Sequence, residues 1–404
     1  MSASALYQVL GVHGYQVAQV EQDEGRVLLH IEPQPHRICC PECGSRNVLG
    51  RGKKERWFRN LPIGQHCTWL IVNLPRVECR DCGLVRQIKL GIADPRRSYT
   101  RSFERYVLEL SRYMTIKDVA EHLGVSWDIV KDIQKRHLVK RYSKPKLKKV
   151  KQIAIDEICI GKGYRYLTLV LDLKSGAILF VGEGKKAATL APFWKRLKAS
   201  RAKIQAVAID MSPAYEAAVS RHLPKAKIVF DRFHVVKLLN EKLTQLRREL
   251  YREATDVLKK EVLKGTRWLL LKRPENLDPK RNEGQRLQEA LKLNESLAIA
   301  YYLKEDLRQL WEQWNKQVAR NYLHSWYEQA MESGVRVLQA FARTLLAHQH
   351  GILAWYDYPI STGPLEGTNN KIKTLNRQHY GFRDQHFFTL KLYQLHETKY
   401  ALVG

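Results

Sequence analysis

The chain has 404 residues, with 69 Lys and Arg against 41 Asp and Glu, a formal charge of +28, and 44% hydrophobic residues. Its length predicts two to four domains, and the charge argues against a small neutral substrate and for a polyanion, since each cation that neutralises a phosphate releases a counterion. No run approaches the ~20 uncharged apolar residues of a membrane span, and the opening MSASALYQVLGVHGYQ lacks a charged segment followed by a long apolar one, so a cytoplasmic protein with no membrane partner is expected.

The first feature in chain order is a pair of cysteine knuckles, CCPECGS and VECRDCG. Cys40 and Cys43, then Cys79 and Cys82, are each followed by a glycine that permits the turn aiming both sulfurs at one ion. Four thiolates in two CxxC knuckles match tetrahedral structural Zn2+, and the strand-like HCTWLIVNL between them predicts the hairpins of a zinc ribbon. Cys39 is an alternative to Cys40, whereas Cys67 and Cys159 read as small core residues.

TIKDVAEHLGVSWDIVKDIQKRHL follows. Val119, Ala120, Leu123, Val125, Val130 and Ile133 fall on helical spacing about Gly124, with Ser126 placed to cap a second helix. The pattern predicts a helix-turn-helix whose groove-facing side carries Ser126, Trp127 and Lys131, although any helical hairpin shares the spacing. The basic stretch KRYSKPKLKKVK then reads as a linker that tracks phosphates, or as a solvated connector.

From Lys151 the pattern changes to short β-branched runs. VKQIAIDEICIG is a strand, YRYLTLVLDL and AILFVGEG a hairpin, and TLAPFWKRLKASR a helix. IQAVAID, SPAYEAAVSRHL, KIVFD and HVVKLLNEKLTQLRRELYREA continue as strand, helix, strand, helix. Three strands, helix, strand, helix, strand, helix is the element order of a ribonuclease-H-like mixed sheet. Residues 251–345 are helical and charged, with Trp268, Trp311, Trp314 and Trp326 spaced through them, and read as an insertion. A helix starting near Glu366 follows a Gly-Pro loop.

In that order the first and fourth strands are central neighbours. Asp156 ends IAI and Asp210 ends VAI, so the two carboxylates converge where ligands bind outside strand ends. Such a pair is costly without a cation between its members, and two hard divalent ions about 3.5–4 Å apart serve phosphoryl transfer. Mg2+ (or Mn2+) is therefore expected at Asp156, Asp210 and Glu366, with Asn370, Lys371, Lys373 and Arg377 on the same late helix offered to DNA phosphate. Glu157 should point to the opposite face of its strand and is not counted as a ligand.

The motifs CPEC with CRDC, AIDE, VAIDMSPAY, VFDRFHV and GPLEGTNNKIK together resemble the DDE transposases of bacterial insertion sequences, most closely the insertion-sequence family L-three. The resemblance spans nearly the whole chain. It implies a multidomain α/β protein in which a ribonuclease-H-like core is interrupted by a helical insertion, with Asp156, Asp210 and Glu366 as its metal-binding triad. Asp231 and His234 match a (C/D)xxH signature of relatives, implying an accessory role at the scissile phosphate, or else a helix cap beside a packed imidazole. Relatives with such insertions also suggest a base-stacking Trp, for which Trp268, beside Arg267, Lys272 and Arg273, is the first choice.

The expected domains are a zinc ribbon at 1–90, helix-turn-helix at 91–140, basic linker at 141–150, core at 151–250, insertion at 251–345 and returning core at 346–404. The expected partner is double-stranded DNA, terminal inverted repeats and target alike, and pairing two ends predicts a homodimer in the synaptic complex. Two other readings share these residues: a metal-dependent nuclease that cuts without joining, and a transcriptional regulator with an inactive core.

Overall fold

A computed structural model describes residues 12–161, 165–379 and 381–397, so most of the opening stretch read for a leader lies outside the described residues. The chain divides into two compact units, one built from residues up to Ser143 with Thr374–Lys391, the other from Lys144–Lys373 with Leu392–His396.

The first unit contains five strands, β1 (Tyr15–Asp23), β2 (Arg26–Pro33), β3 (Val48–Ile63), β4 (His66–Cys79) and β5 (Val85–Gln87), ordered β1-β2-β4-β3 with β5 also on β4. The expected ribbon hairpin is β3–β4, antiparallel from Val48↔Cys79 to Ile63↔His66. The β1–β2 hairpin is an addition the sequence did not announce, joined through a parallel β2–β4 ladder. Leu29, Ile31, Phe58, Leu70 and Val72 form its core. Three helices follow: α1 (Arg101–Leu110), α2 (Ile116–Leu123) and α3 (Trp127–Tyr142).

Thr115 and Asp118 form a reciprocal capping box on α2, and Gly124 ends it at φ 59°, a left-handed conformation that suits glycine. Val119, Ala120, Leu123, Val130 and Ile133 are buried as the spacing predicts. Arg59 ties sheet to helices: its buried guanidinium donates to the carbonyls of Thr68 (3.1 Å) and Leu123 (2.9 Å).

The second unit carries the other sheet, β6 (Gln152–Gly161), β7 (Arg165–Asp172), β8 (Ile178–Glu183), β9 (Ala206–Ile209) and β10 (Lys227–Phe230), in the order β10-β9-β6-β7-β8. β6, β7 and β8 pair antiparallel, while β9 is parallel to both β6 and β10. This is the ribonuclease-H-like order expected. Helices α4 (Ala191–Ser200), α5 (Pro213–His222) and α6 (Arg232–Glu253) alternate with the later strands. Ile153, Ala154, Ala206, Val207, Ala208, Ile209, Val229 and Phe230 are at 0% exposure, because parallel strands covered on both faces carry unbroken apolar runs.

Between α6 and the last part of the core every regular element is helical: α7 (Val257–Gly265), α8 (Glu283–Lys292), α9 (Glu295–Leu307), α10 (Lys316–Glu332), α11 (Arg336–Ala347) and α12 (Gln349–Leu353). Trp326 and Trp311 are core residues at 0% and 6% exposure, whereas Trp268 and Trp314 stand out at 64% and 95%. The last two α-helices among the described residues are α13 (Gly363–Gln378), carrying Glu366, and α14 (Gln385–Gln394). No helix among the described residues is long and apolar enough to cross a membrane.

Candidate active site

The two knuckles lie at the foot of the β3–β4 ladder. In each, the second residue after the CxxC pair closes onto the first cysteine: Cys40 N donates to Ser45 O and Cys79 N to Leu84 O, while Gly44 N and Gly83 N donate back to Cys40 O and Cys79 O. Gly44 and Gly83 hold φ of 76° and 69°, so a glycine is required at each turn. Asp81 fastens one knuckle to the other, accepting from Ser45 Oγ (2.5 Å) and Asn47 Nδ2 (3.0 Å).

The thiols of Cys40, Cys43, Cys79 and Cys82 all lie within 4.8 Å of one another, with Cys40–Cys82 at 3.6 Å and Cys43–Cys79 at 3.5 Å. Metal–sulfur bonds of about 2.3 Å in a tetrahedron place sulfurs about 3.8 Å apart, so the donor set fits one such ion. The Cys43 and Glu42 backbone amides hold the Cys40 thiol down to about 6, ready to lose its proton. Cys39 is not in the cluster, and Cys159 corrects an expectation: it is exposed, its thiol 3.5 Å from Gly161 O, because the end of β6 projects past the core.

Ser126 is the N-cap of α3 and Trp127 is 46% exposed. Lys131 stacks its ammonium 5.0 Å from the Trp127 ring and pairs with Asp384 at 3.4 Å; Lys135, which sequence reasoning passed over, reaches the same carboxylate at 2.8 Å. The basic face of α3 thus already holds an internal anion.

In the second unit the ladder pairs Gln152 with Ala206, Ile153 with Val207 and Ala154 with Ala208. Carried two residues further, that register sets Asp156 level with Asp210 on the neighbouring strand, about 5 Å apart by strand spacing. On the other side Phe230 pairs with Ile209, so Asp231 is level with Asp210 in turn. Three carboxylates therefore sit level across three adjacent parallel strands.

Each has its own restraints. Asp156 accepts from Glu157 N at 2.7 Å and from Asn369 Nδ2 of α13 at 3.0 Å; Asp210 accepts from Ser212 N at 3.1 Å. Burial, aided by the Asp210 charge, pushes the Asp156 carboxyl up, against the pull of the Glu157 amide and His234. Asp231 is 1% exposed, and although burial works against its charge, hydrogen bonds from His234 and Thr362 hold it below the usual range. His234 Nδ1 lies 3.2 Å from Asp231 Oδ2, which also accepts from Thr362 Oγ1 at 2.6 Å. Burial disfavours the imidazolium, but Asp231, Asp156 and Asp210 together raise the His234 pKa.

Glu366 lies exposed on the first turn of α13, one turn before Asn369, so helix geometry gives both the same side of α13. Among the described residues the cysteine cluster is the only set of three or more ligating side chains within 4.8 Å of one another. Asp156 lies on β6, Asp210 follows the neighbouring β9 and Glu366 lies one turn before the Asn369 that contacts Asp156, but the three acids do not form such a set. Their chemistry nonetheless fits a hard divalent cation, since a buried carboxylate raised by a like neighbour gains most from one.

Glu157 accepts from Tyr215 OH at 2.7 Å, and burial, with the Asp210 and Asp156 charges adding to it, raises its carboxyl. Asn370, Lys371, Lys373 and Arg377 are exposed on α13, opposite buried Leu365, Ile372 and Leu375. Asn369 and Thr362 are the site residues that sequence reasoning missed. Glu366 at three residues' spacing was the available signal for Asn369; nothing in the sequence linked Thr362 to Asp231, 131 positions earlier.

Three family models match the chain. A family model described as transposase, of the DDE type in family ISL3, matches residues 153–392. The helix-turn-helix domain of transposase family ISL3 matches 88–138, and the zinc-finger of transposase IS204/IS1001/IS1096/IS1165 matches 36–82. The transposase for insertion sequence element IS1001 of Bordetella parapertussis is 35% identical over 388 residues, 95% of each chain. That for IS1557 of Mycobacterium tuberculosis is 28% identical over 387 residues, covering 89% of this chain and 86% of its own. The solved Drosophila P element transposase strand transfer complex aligns over 66% of this chain and 81% of its own at 12% identity and a TM-score of 0.33, too slight a likeness to argue from.

Proposed function

Because the chain belongs to the ISL3 family of DDE transposases, we propose that it binds the terminal inverted repeats of its own insertion sequence and both cleaves and joins DNA strands at Asp156, Asp210 and Glu366. The observation that carries this reading is the β6–β9 register, which levels Asp156 with Asp210 beside a helix whose Asn369 grips Asp156 and whose preceding turn bears Glu366.

In this reading the three acids hold Mg2+ (or Mn2+), which supplies activation of an attacking oxygen and stabilisation of a leaving one. Asn369 orients one Asp156 oxygen and the Glu157 amide the other, each oxygen keeping a second lone pair for the ion. His234, whose Nδ1 faces Asp231 and whose pKa the neighbouring carboxylates raise against the effect of burial, presents its other ring nitrogen to a phosphate oxygen. Lys371, Lys373 and Arg377 follow the strand along α13. The cysteine set holds Zn2+ and stiffens the ribbon, which with α3 supplies terminal-repeat contacts, made in the cytoplasm by a dimer that pairs two ends.

The test is cleavage of labelled terminal DNA, then joining of a precut 3′-hydroxyl end. Asp156→Ala, Asp210→Ala and Glu366→Ala should each abolish both reactions while binding the same DNA. Normal cleavage by all three variants would sink the assignment, and cleavage without joining by the parent would make it a nuclease.

A further inference from the structure

At the far end of β10 from the acids, Lys227, Lys316, Arg320, Gln349, His350 and Leu353 line a cavity of about 480 Å3. Lys227 begins this strand, which lies at the edge of its sheet, and Asp231 follows its last residue. Four residues of strand, about 13 Å, separate them. The cavity is built rather than incidental: α12 crosses the edge strand so closely that a Cβ on Gly351 would meet the Phe230 ring at 2.4 Å, and this fixes where Gln349 and His350 stand.

The charges around it are unequally engaged. His350 Nε2 pairs with Glu216 at 3.1 Å, and Lys316 pairs with Asp357. Neither the Lys227 nor the Arg320 side chain makes a hydrogen bond or ion pair among the described residues, and both are exposed. Two residues before Lys316 stands Trp314, 95% exposed, in a loop pinned by Asn315, whose side chain accepts from Gln317 N and Val318 N. Two uncommitted cations beside a cavity, and an indole whose whole face is available, are what a phosphate backbone and an unpaired base require.

We propose that this cavity is a second DNA site, in which Lys227 and Arg320 hold a backbone phosphate and Trp314 stacks on an adjacent unpaired base. It goes beyond the catalytic reading, and at a rise of about 3.4 Å per nucleotide it lies on the order of four nucleotides from the acids. Only the direction of that strand, toward the acids, rests on the catalytic reading.

The probe is a ten-nucleotide single strand of thymidines, which contains no terminal repeat, titrated without divalent metal so that no catalysis enters. Lys227→Ala with Arg320→Ala should weaken binding about tenfold and lower the salt slope by about 0.7, for the one phosphate the two cations share. Quenching of indole fluorescence by the probe should fall in Trp314→Phe, and Trp314→Ala should cost roughly another tenfold. A parent-like slope and affinity in the double variant would overturn the phosphate site, and unchanged quenching in Trp314→Phe would overturn the stacking. Neither result bears on the Asp156, Asp210 and Glu366 variants, whose cleavage assay stands or falls by itself.

Discussion

The thiol cluster and the carboxylates proposed as the catalytic site face the same problem, gathering like ligands around a cation, and meet it in opposite ways. The four sulfurs come from two turns at the foot of one hairpin, with Val48 paired directly to Cys79, and all lie within 4.8 Å of each other. The acids come from β6, the end of β9 and the start of α13, and the bond that links the last to the first spans 213 residues. A ligand set made by local turns closes as the hairpin forms; one assembled from distant elements waits for the whole unit and stays open to substrate. Closed geometry suits a structural ion and open geometry a catalytic one.

The largest expected effect tests the closed site. Structural zinc contributes about 10–16 kcal/mol of binding free energy in small zinc domains, much of it folding free energy. Cys79→Ser, or a strong chelator, should therefore melt the β3–β4 foot and abolish terminal DNA binding. Circular dichroism melts and a gel-shift titration report the two losses, and a chelated chain with the parent's melting temperature would mean that the four thiols hold no structural ion.

The open site should respond with the opposite sign. Asp156→Asn should remove cleavage yet stabilise the metal-free protein by about 1 kcal/mol, as is common where function imposes strain. Burial and Asp210 raise the Asp156 pKa above its unfolded value, so the ionised group disfavours folding at neutral pH. That penalty is full above the raised pKa and fades as the pH drops below the unfolded value near about 3.9. Melting curves at pH 7 and pH 3.5 should show a gain at the first that vanishes at the second. Equal or lower stability at pH 7 would mean that Asp156 is already compensated without a cation.

A smaller loss should follow from Asn369→Ala, because partners that orient a ligand typically account for 10–100-fold in activity or metal affinity. The readout is the metal concentration for half-maximal cleavage, which should rise while terminal DNA affinity holds. A fall in rate with no change in metal dependence would assign Asn369 to packing alone.

The same contrast explains what was legible in the sequence. CxxC spacing with a following glycine is a local pattern, and Gly44 and Gly83 took the positive φ that it demanded. Apolar runs ending in Asp156, Asp210 and Asp231 were equally local, and their order fixed the sheet. The β1 strand was hidden because its last six side chains, Ala18 to Asp23, are all exposed, leaving no apolar alternation to read. Thr362 and Asn369 were hidden because their partners are set by tertiary approach, not spacing. The insertion's tryptophans shared one local signal, yet Trp326 is buried and Trp314 almost wholly bare.

The least expected contact, Asp384 on α3, yields the smallest effect. Asp384 accepts from Lys135 Nζ and from Phe387 N at the start of α14, and with Lys131 nearby its carboxyl is held at about 2. Asp384→Asn keeps the amide acceptor but removes the charge, which for a partly exposed pair costs about 0–1 kcal/mol. The lowered pKa makes that contribution complete above about pH 4 and lost as the pH falls toward 2, so parent and variant should melt with a constant offset from pH 7 to 5. Lys131 can reach a DNA phosphate only by leaving Asp384. The variant should therefore bind terminal DNA a fewfold more tightly, with a salt slope steeper by about 0.9 for each freed cation. An unchanged slope would mean that the face of α3 bearing Lys131 and Lys135 is structural, and that DNA is read by another surface of the same unit.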